Sequence, residues 1–338
     1  MELCLEFYCC GQSRYEAFVV RVFVIGSAAF KKTRSLNLKQ EIKVHGVVHQ
    51  MPSFVVPKKS CDCHTHVFGP HDQFPLSKDR KYTPPQASIA DMLALHDPLG
   101  LERVVIVHPS PYGSDNRCTL DALARLGDRA RGVVVIDKAT TAFEIQKMHE
   151  LGVRGVRINL ETQGVADKRY ATKEISWVYE KIKDLGWHIQ LFTQLKVLSD
   201  LESVFKKFDI EFVVDHFGLI NPSFGMSQPH LERVISMIKS GKLWIKLSAP
   251  HRISSKPDGD DVTQLVKALI EANPSRMLWG SDWPHPGGKI GQARNIDKPE
   301  AFNPIDDGAA LNRLHKWVGD KWILEKILVQ NPEKLYEF

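Results

Sequence analysis

Residues Cys61–Pro70 read CDCHTHVFGP, with His64 and His66 separated by a single residue. Successive side chains of an extended strand point to opposite faces. The segment therefore predicts a strand over Ser60–Val67, with Asp62, His64 and His66 on one face and Cys61, Cys63 and Thr65 on the other. Two imidazoles converging at a strand's end suit a metal ion or a substrate oxygen that has to be polarised. Two core histidines that satisfy each other would leave the same trace, so the meaning of the segment depends on what the chain builds around it.

Downstream, short β-branched runs recur with amphipathic stretches between them. The strands expected are Ser60–Val67, Arg103–His108, Gly132–Asp137, Val153–Leu160, Trp187–Thr193, Glu211–His216, Leu243–Leu247 and Met277–Ser281. Runs such as VVIV, VVVI and FVVD read as strands buried on both faces. The intervening stretches, among them Ser88–His96, Ala142–Leu151 and Thr172–Leu185, carry helical periodicity, and Gly152 and Gly186 follow two of them as helix terminators. Eight strands alternating with helices over roughly 280 residues fit a TIM (β/α)8 barrel. An open doubly wound sheet would want a glycine-rich phosphate loop after its first strand, and HTHVFGP is not one.

Composition sets the outer bounds. The chain has 338 residues, 43% hydrophobic and 25% charged, with a formal charge of +5, as expected for a globular protein. No basic stripe interleaved with aromatics appears, so no nucleic-acid partner is expected. Five of the six cysteines lie in the first 63 residues, which is no disulfide framework; reduced thiols and a cytoplasmic location are expected. The apolar run Ala17–Phe30 is interrupted by Arg21 and is too short to span a bilayer. Acidic Glu2, Glu6 and Glu16 before it are wrong for a signal peptide. Residues 1–50 are read as a disordered extension, or as a mispredicted start with Met51 as initiator. Residues 51–338 are read as one barrel domain.

Active sites of this fold form at the C-terminal ends of the strands, and the unusual residues fall there. His64 and His66 end the first strand, and Ser110 follows the second. Arg157 and Asn159 end the fourth, and His216 ends the sixth. Arg252 follows the seventh, and Asp282 ends the eighth. Charge inside apolar strands is costly unless it is paired or used. Asp215, one residue from His216, is expected to face the other way and to be structural. His108, His251 and His285 read as loop histidines.

At this point the chain resembles the amidohydrolase superfamily in its amidohydrolase-2 (amidohydrolase-related) branch, among the 2-pyrone-4,6-dicarboxylate lactonases. The motifs that carry the likeness are DCHTHVFGP, KYTPPQAS, LGVRGVRINL, LGWHIQLF, VVDHFG, RMLWGSDWPHP and NPEKLYEF, spread over residues 61–336. The resemblance implies a hydrolase that opens a carboxylated lactone, with Asp282 as general base. It implies His64, His66 and His216 as donors to the oxyanion, and Arg157 and Arg252 as grips for substrate carboxylates, with Tyr82 and Ser110 as smaller contacts. It implies that no metal is needed; Zn2+, if bound, would sit on His64, His66, His216 and Asp282. Metal-dependent relatives place a further histidine at the end of the fifth strand, where this chain has Thr193 and Gln194. Gln163 stands near the position of a second family arginine, and Phe192 where the family has a tyrosine. A lactone with fewer or differently placed acid groups is therefore expected. Two other readings remain: a metal-dependent hydrolase or non-oxidative decarboxylase of the same family, and a non-catalytic barrel that binds a ligand.

Overall fold

Strands as apolar as RVVIV or FVV are stable only when both faces are covered, and the chain solves this by closing the sheet and ringing it with helices. The computed structural model describes residues 41–164, 166–256, 259–287 and 294–338. Within them a small antiparallel hairpin, β1 (Ile42–Val44) and β2 (Val47–His49), precedes β3 (Cys61–Thr65), β4 (Arg103–Val107), β5 (Ala130–Val134), β6 (Val153–Asn159), β7 (His188–Phe192), β8 (Phe212–Val214), β9 (Trp244–Ser248) and β10 (Met277–Gly280). The strands β3 to β10 form one parallel sheet in sequence order. The Asp282 amide donates to the His64 carbonyl and the His66 amide to the Trp283 carbonyl, both at 2.8 Å. These bonds join the last strand to the first, giving the (β/α)8 barrel that the alternation predicted.

The interior below the site is filled by Cys61, Cys63, Val105, Val133, Trp244 and Tyr336, all fully buried. The larger core lies between the sheet and the helices. Cys61, Cys63 and Cys118 are free thiols. Helix boundaries follow local chemistry. Ser88 caps Ile89–Leu99 in a reciprocal capping box with Asp91. Asp167 caps a helix that starts at Lys168, earlier than the periodicity indicated. Two short helices, Leu195–Asp200 and Glu202–Lys207, follow β7.

Two expectations are corrected. The first concerns residues 41–50, which were grouped with the extension. Here the hairpin is part of the barrel's unit: Ile42 and Val44 are buried in the main core. The Gln50 amide donates to Asp306 Oδ1 (3.0 Å) and the Asp307 amide to His49 Nδ1 (3.1 Å). Gly308 permits this contact, because a Cβ there would lie 1.6 Å from the Gln50 carbonyl oxygen. Residues 1–40, with Ala17–Phe30, lie outside the described residues.

The second concerns β3. Its pairing with β4 shifts register between Asp62 and Thr65, which resets the alternation. Asp62 does not join the histidines. Its carboxylate lies 3.2 Å from His96 Nε2 on the helix Ile89–Leu99 and accepts from the Ser281 amide. Cys61 and Cys63 point into the barrel, and past the shift His64 and His66 do so as well.

Candidate active site

The closure of the barrel puts Asp282 against β3. Gly280 makes room, since a Cβ there would lie 2.6 Å from His64 Cβ. Asp282 Oδ1 then lies 3.4 Å from His66 Nε2, 3.7 Å from His64 Nε2 and 3.7 Å from His216 Nε2. Asp282 Oδ2 accepts from Arg252 Nε (3.0 Å) and Nη2 (2.7 Å). The sequence-predicted base, its three histidines and one arginine thus converge on one point. Asp282 and His216 both sit at positive φ (71° and 50°), backbone strain of a kind that collects at functional sites.

Each imidazole is fixed from behind. His66 Nδ1 is 2.8 Å from the Val107 carbonyl, which can only accept, so Nδ1 carries the hydrogen and Nε2 of the neutral ring is an acceptor. His216 Nδ1 is 2.9 Å from Ser248 Oγ. His64 Nδ1 faces Lys246 Nζ at 3.4 Å and Asp215 Oδ1 at 3.2 Å. Burial pushes His64 down to about 4, with Asp215 opposing and Lys246 adding to the shift. Burial likewise holds His216 well below its ordinary value. Burial alone would raise Asp282, but Arg252 and then the histidines outweigh it and hold its carboxyl well below the usual carboxylate range. A carboxylate acceptor is therefore ready at neutral pH beside the neutral imidazoles of His64 and His216.

Asp215 corrects an expectation. It does not face away from the site. Val213 faces the barrel interior and Asp215 keeps its phase, while the positive φ of His216 breaks the alternation and brings that residue inward as well. Asp215 lies beneath His64 and accepts from Arg157 Nε (3.0 Å) and Gln190 Nε2 (3.1 Å). Lys246 was overlooked. It is wholly buried in β9, donates to Gln190 Oε1 at 2.7 Å and lies 3.6 Å from Asp215 Oδ1. The signal was present in the sequence, as a lysine inside the apolar run LWIKLS. Asp215 and Asp282 thus face three fixed cations: Arg157, Lys246 and Arg252.

The mouth is a cavity of about 40 Å³ lined by His66, Tyr82, Ser110, Arg157, His216, Arg252 and Asp282, together with Asn159, Phe192 and Arg294. Arg157 is not free, as its guanidinium is engaged by Asp215 and lies 5.3 Å from the Phe192 ring centroid. Gln163 lines instead an adjoining cavity of about 180 Å³, which shares Ser110, Arg157 and Asn159 with the first and adds His108, Tyr170 and Glu174. His188 is at the opposite end of β7, edge-on to Tyr336, so strand β7 brings no imidazole to the site. His285 binds Asp307, and His251 is half-buried, its ring centroid 6.2 Å from that of His285. Among the described residues, His64, His66 and Asp282 bring ligand atoms within 4.8 Å of one another, as do His64, Asp215 and His216.

Residues 61–338 match the family model described as amidohydrolase (Amidohydro_2). The chain belongs to the amidohydrolase family. Within that family it is similar to a 4-sulfomuconolactone hydrolase from Rhizobium radiobacter, 35% identical over 291 residues that cover 84% of this chain and 92% of the relative. A 2-pyrone-4,6-dicarboxylate hydrolase from Comamonas testosteroni is 33% identical over 296 residues, with the same coverage of both chains. Among solved structures, a probable 2-pyrone-4,6-dicarboxylic acid hydrolase from Acinetobacter baumannii with citric acid bound superposes with a TM-score of 0.71 at 26% identity, covering 83% of this chain and all of that one. Among the described residues no helix is long and apolar enough to cross a membrane.

Proposed function

We propose that this amidohydrolase opens a carboxylated lactone by adding water to its ring carbonyl, with Asp282 as general base. One observation carries the reading: Asp282 Oδ1 and His66 Nε2 are two acceptors only 3.4 Å apart at the floor of the mouth. A water molecule on the cavity side of the pair would donate one hydrogen to each and turn a lone pair toward the substrate. Asp282 takes one proton as the water oxygen attacks. Arg252 on Oδ2 keeps the carboxylate ionised and aims Oδ1 at the water.

His64 and His216 then serve the oxyanion. With Nδ1 accepting from Lys246, the hydrogen of His64 sits on Nε2, which points into the site. His216 is oriented in the same way by Ser248. Donors fixed in a buried site where charge develops make a large contribution to catalysis. His66, by its bond to Val107, orients water in place of donating to the oxyanion, a role different from the one the resemblance implied. The tetrahedral species collapses by expelling the ring oxygen, and protonated Asp282 returns its proton to that oxygen. Fixed cations around the mouth suit an acidic substrate, and the hydrolase relatives are named for muconolactone and pyrone dicarboxylate substrates.

The same atoms fit a divalent cation. Among the described residues, Asp282 Oδ1 and His64 Nε2 are buried without hydrogen-bond partners, and a histidine that donates Nδ1–H to a carbonyl presents Nε2 as metal ligands do. Zn2+ on His64, His66 and Asp282, when bound, would act as a Lewis acid on the carbonyl. We favour the metal-independent reaction, because β7 contributes no fourth nitrogen and Arg252 already balances the charge of Asp282.

Hydrolysis of 2-pyrone-4,6-dicarboxylate and of mono-acid lactones by metal-stripped protein tests the proposal, with elemental analysis of the protein as isolated. Turnover in chelator that collapses in Asp282→Asn supports it. Turnover restored only by zinc or manganese moves the mechanism to the metal-dependent form. No turnover of any lactone, with or without metal, removes the assignment.

A further inference from the structure

We infer that Arg294 grips an acid group of the substrate, and that the opposite end of the substrate is uncharged and hydrogen-bonding. The inference rests on the lactone reading and names the class of lactone. Gln163 leaves the β6 side of the site without a second arginine, yet the mouth is not short of cations, because Arg294 enters from the segment that follows β10.

Its partners make it different from the other two arginines. Arg157 is engaged by Asp215 and Arg252 by Asp282, so each balances a carboxylate of the protein. Arg294 Nε donates to Glu300 Oε2 at 2.6 Å, and the guanidinium carbon stacks 3.8 Å from the centroid of the Tyr82 ring. Its Nη2 is buried and has no hydrogen-bond partner among the described residues. A buried guanidinium nitrogen without an acceptor costs free energy until a ligand supplies one.

The arginine is also held in place before any ligand arrives. The Ile296 carbonyl accepts from Thr83 Oγ1 and from Arg80 Nη2, and the Glu300 amide donates to the Thr83 carbonyl at 2.8 Å. Tyr82, between those anchors, is the surface on which Arg294 lies. A guanidinium fixed in this way loses little freedom on binding a planar carboxylate.

The other direction out of the mouth is chemically different. Beyond Arg157, whose charge Asp215 already balances, the side cavity offers Asn159, Gln163 and Tyr170 together with the carboxylate of Glu174. Neutral amides and a phenol hydrogen-bond to hydroxyl or carbonyl groups, and Glu174 repels a second carboxylate. The substrate class is a lactone with one acid group toward Arg294 and a hydroxylated or otherwise neutral polar substituent toward Gln163.

The test compares wild type, Arg294→Gln and Arg294→Lys in two measurements. The first is the dissociation constant for citrate by calorimetry, which requires no turnover. The second is KM and kcat for a mono-acid lactone and its methyl ester. Loss of a charged hydrogen-bonding partner predicts citrate binding and the mono-acid KM weakened about 10- to 100-fold in Arg294→Gln. The ester KM and both kcat values should change little, and Arg294→Lys should recover part of the loss. Unchanged citrate affinity in Arg294→Gln, or equal losses for acid and ester, would overturn the role of Arg294. A wild type that prefers the dicarboxylate pyrone tenfold or more over mono-acid lactones would overturn the neutral end. Weakened citrate binding in a protein that opens no lactone would uphold Arg294 as the acid grip while removing the lactonase reading.

Discussion

Arg252 donates Nε and Nη2 to a single oxygen of Asp282, Oδ2, and leaves Oδ1 to the three histidines. The division gives the two oxygens separate tasks. Oδ2 holds the charge and the orientation, and Oδ1 is free to take a proton. It also explains why the carboxyl stays ionised although it is wholly buried. Asp282→Asn should lower kcat about 10²- to 10⁴-fold, the usual range for loss of a general base. Arg252→Gln should leave the base present but less acidic. Loss of the guanidinium removes the strongest force holding the carboxyl down, so the acid limb of the kcat/KM–pH profile should move to higher pH. A profile with an unmoved acid limb in Arg252→Gln would remove Arg252 from this role.

Lys246 ties together the floor of the site. Its ammonium touches Gln190, His64 and Asp215 with no exposure to solvent. Removing one partner of a buried ion pair commonly costs about 3–5 kcal/mol. Arg157 still accompanies Asp215, so Lys246→Met should fall at the low end of that range in chemical denaturation. The same change frees His64 Nδ1 to donate to Asp215 at 3.2 Å, which takes the hydrogen off Nε2. A fall in kcat at unchanged KM, measured where the variant remains folded, is the expected signature.

Acid should destabilise the fold through buried histidines other than the three around Asp282. Burial lowers His108 to about 4 and His188 to about 3, against an ordinary value of about 6.5. As pH falls below that ordinary value, the unfolded chain takes up protons that the native protein refuses. Stability is thus full above about 6.5 and drains away toward pH 4 and then 3. Thermal unfolding across pH 4–8 should show this slope. His188→Phe should make it shallower, whatever the variant's stability at pH 8.

The hairpin makes the position of the N-terminus measurable. A chain beginning at Met51 lacks Ile42 and Val44, whose burial contributes about 1.5–3 kcal/mol each, and lacks the His49 acceptor for the Asp307 amide. It should unfold at lower denaturant than a chain beginning at Glu41. Equal midpoints would make the hairpin dispensable and restore Met51 as a workable start.

Sequence alone determined the parts of this protein that depend on local pattern. Buried strands are continuous apolar runs and helices carry their own caps, so eight alternations and a closed barrel were legible. Strand ends collect polar residues in this fold, so the convergence of His64, His66, His216 and Asp282 in the candidate site was legible too. The outward turn of Asp62 was not, because the register shift in β3 is a property of its pairing with β4. That Asp215 and His216 both face inward was not, because it depends on the left-handed backbone at His216, which breaks the alternation after Asp215. Partnerships were beyond reach as well. Lys246 meets Asp215 and His64 from β9, β8 and β3, and Arg294 reaches Tyr82 across more than 200 residues. Alternation and propensity act over a few residues, whereas charge pairing and burial act over distances in space. Only the closed barrel determines which cation meets which carboxylate.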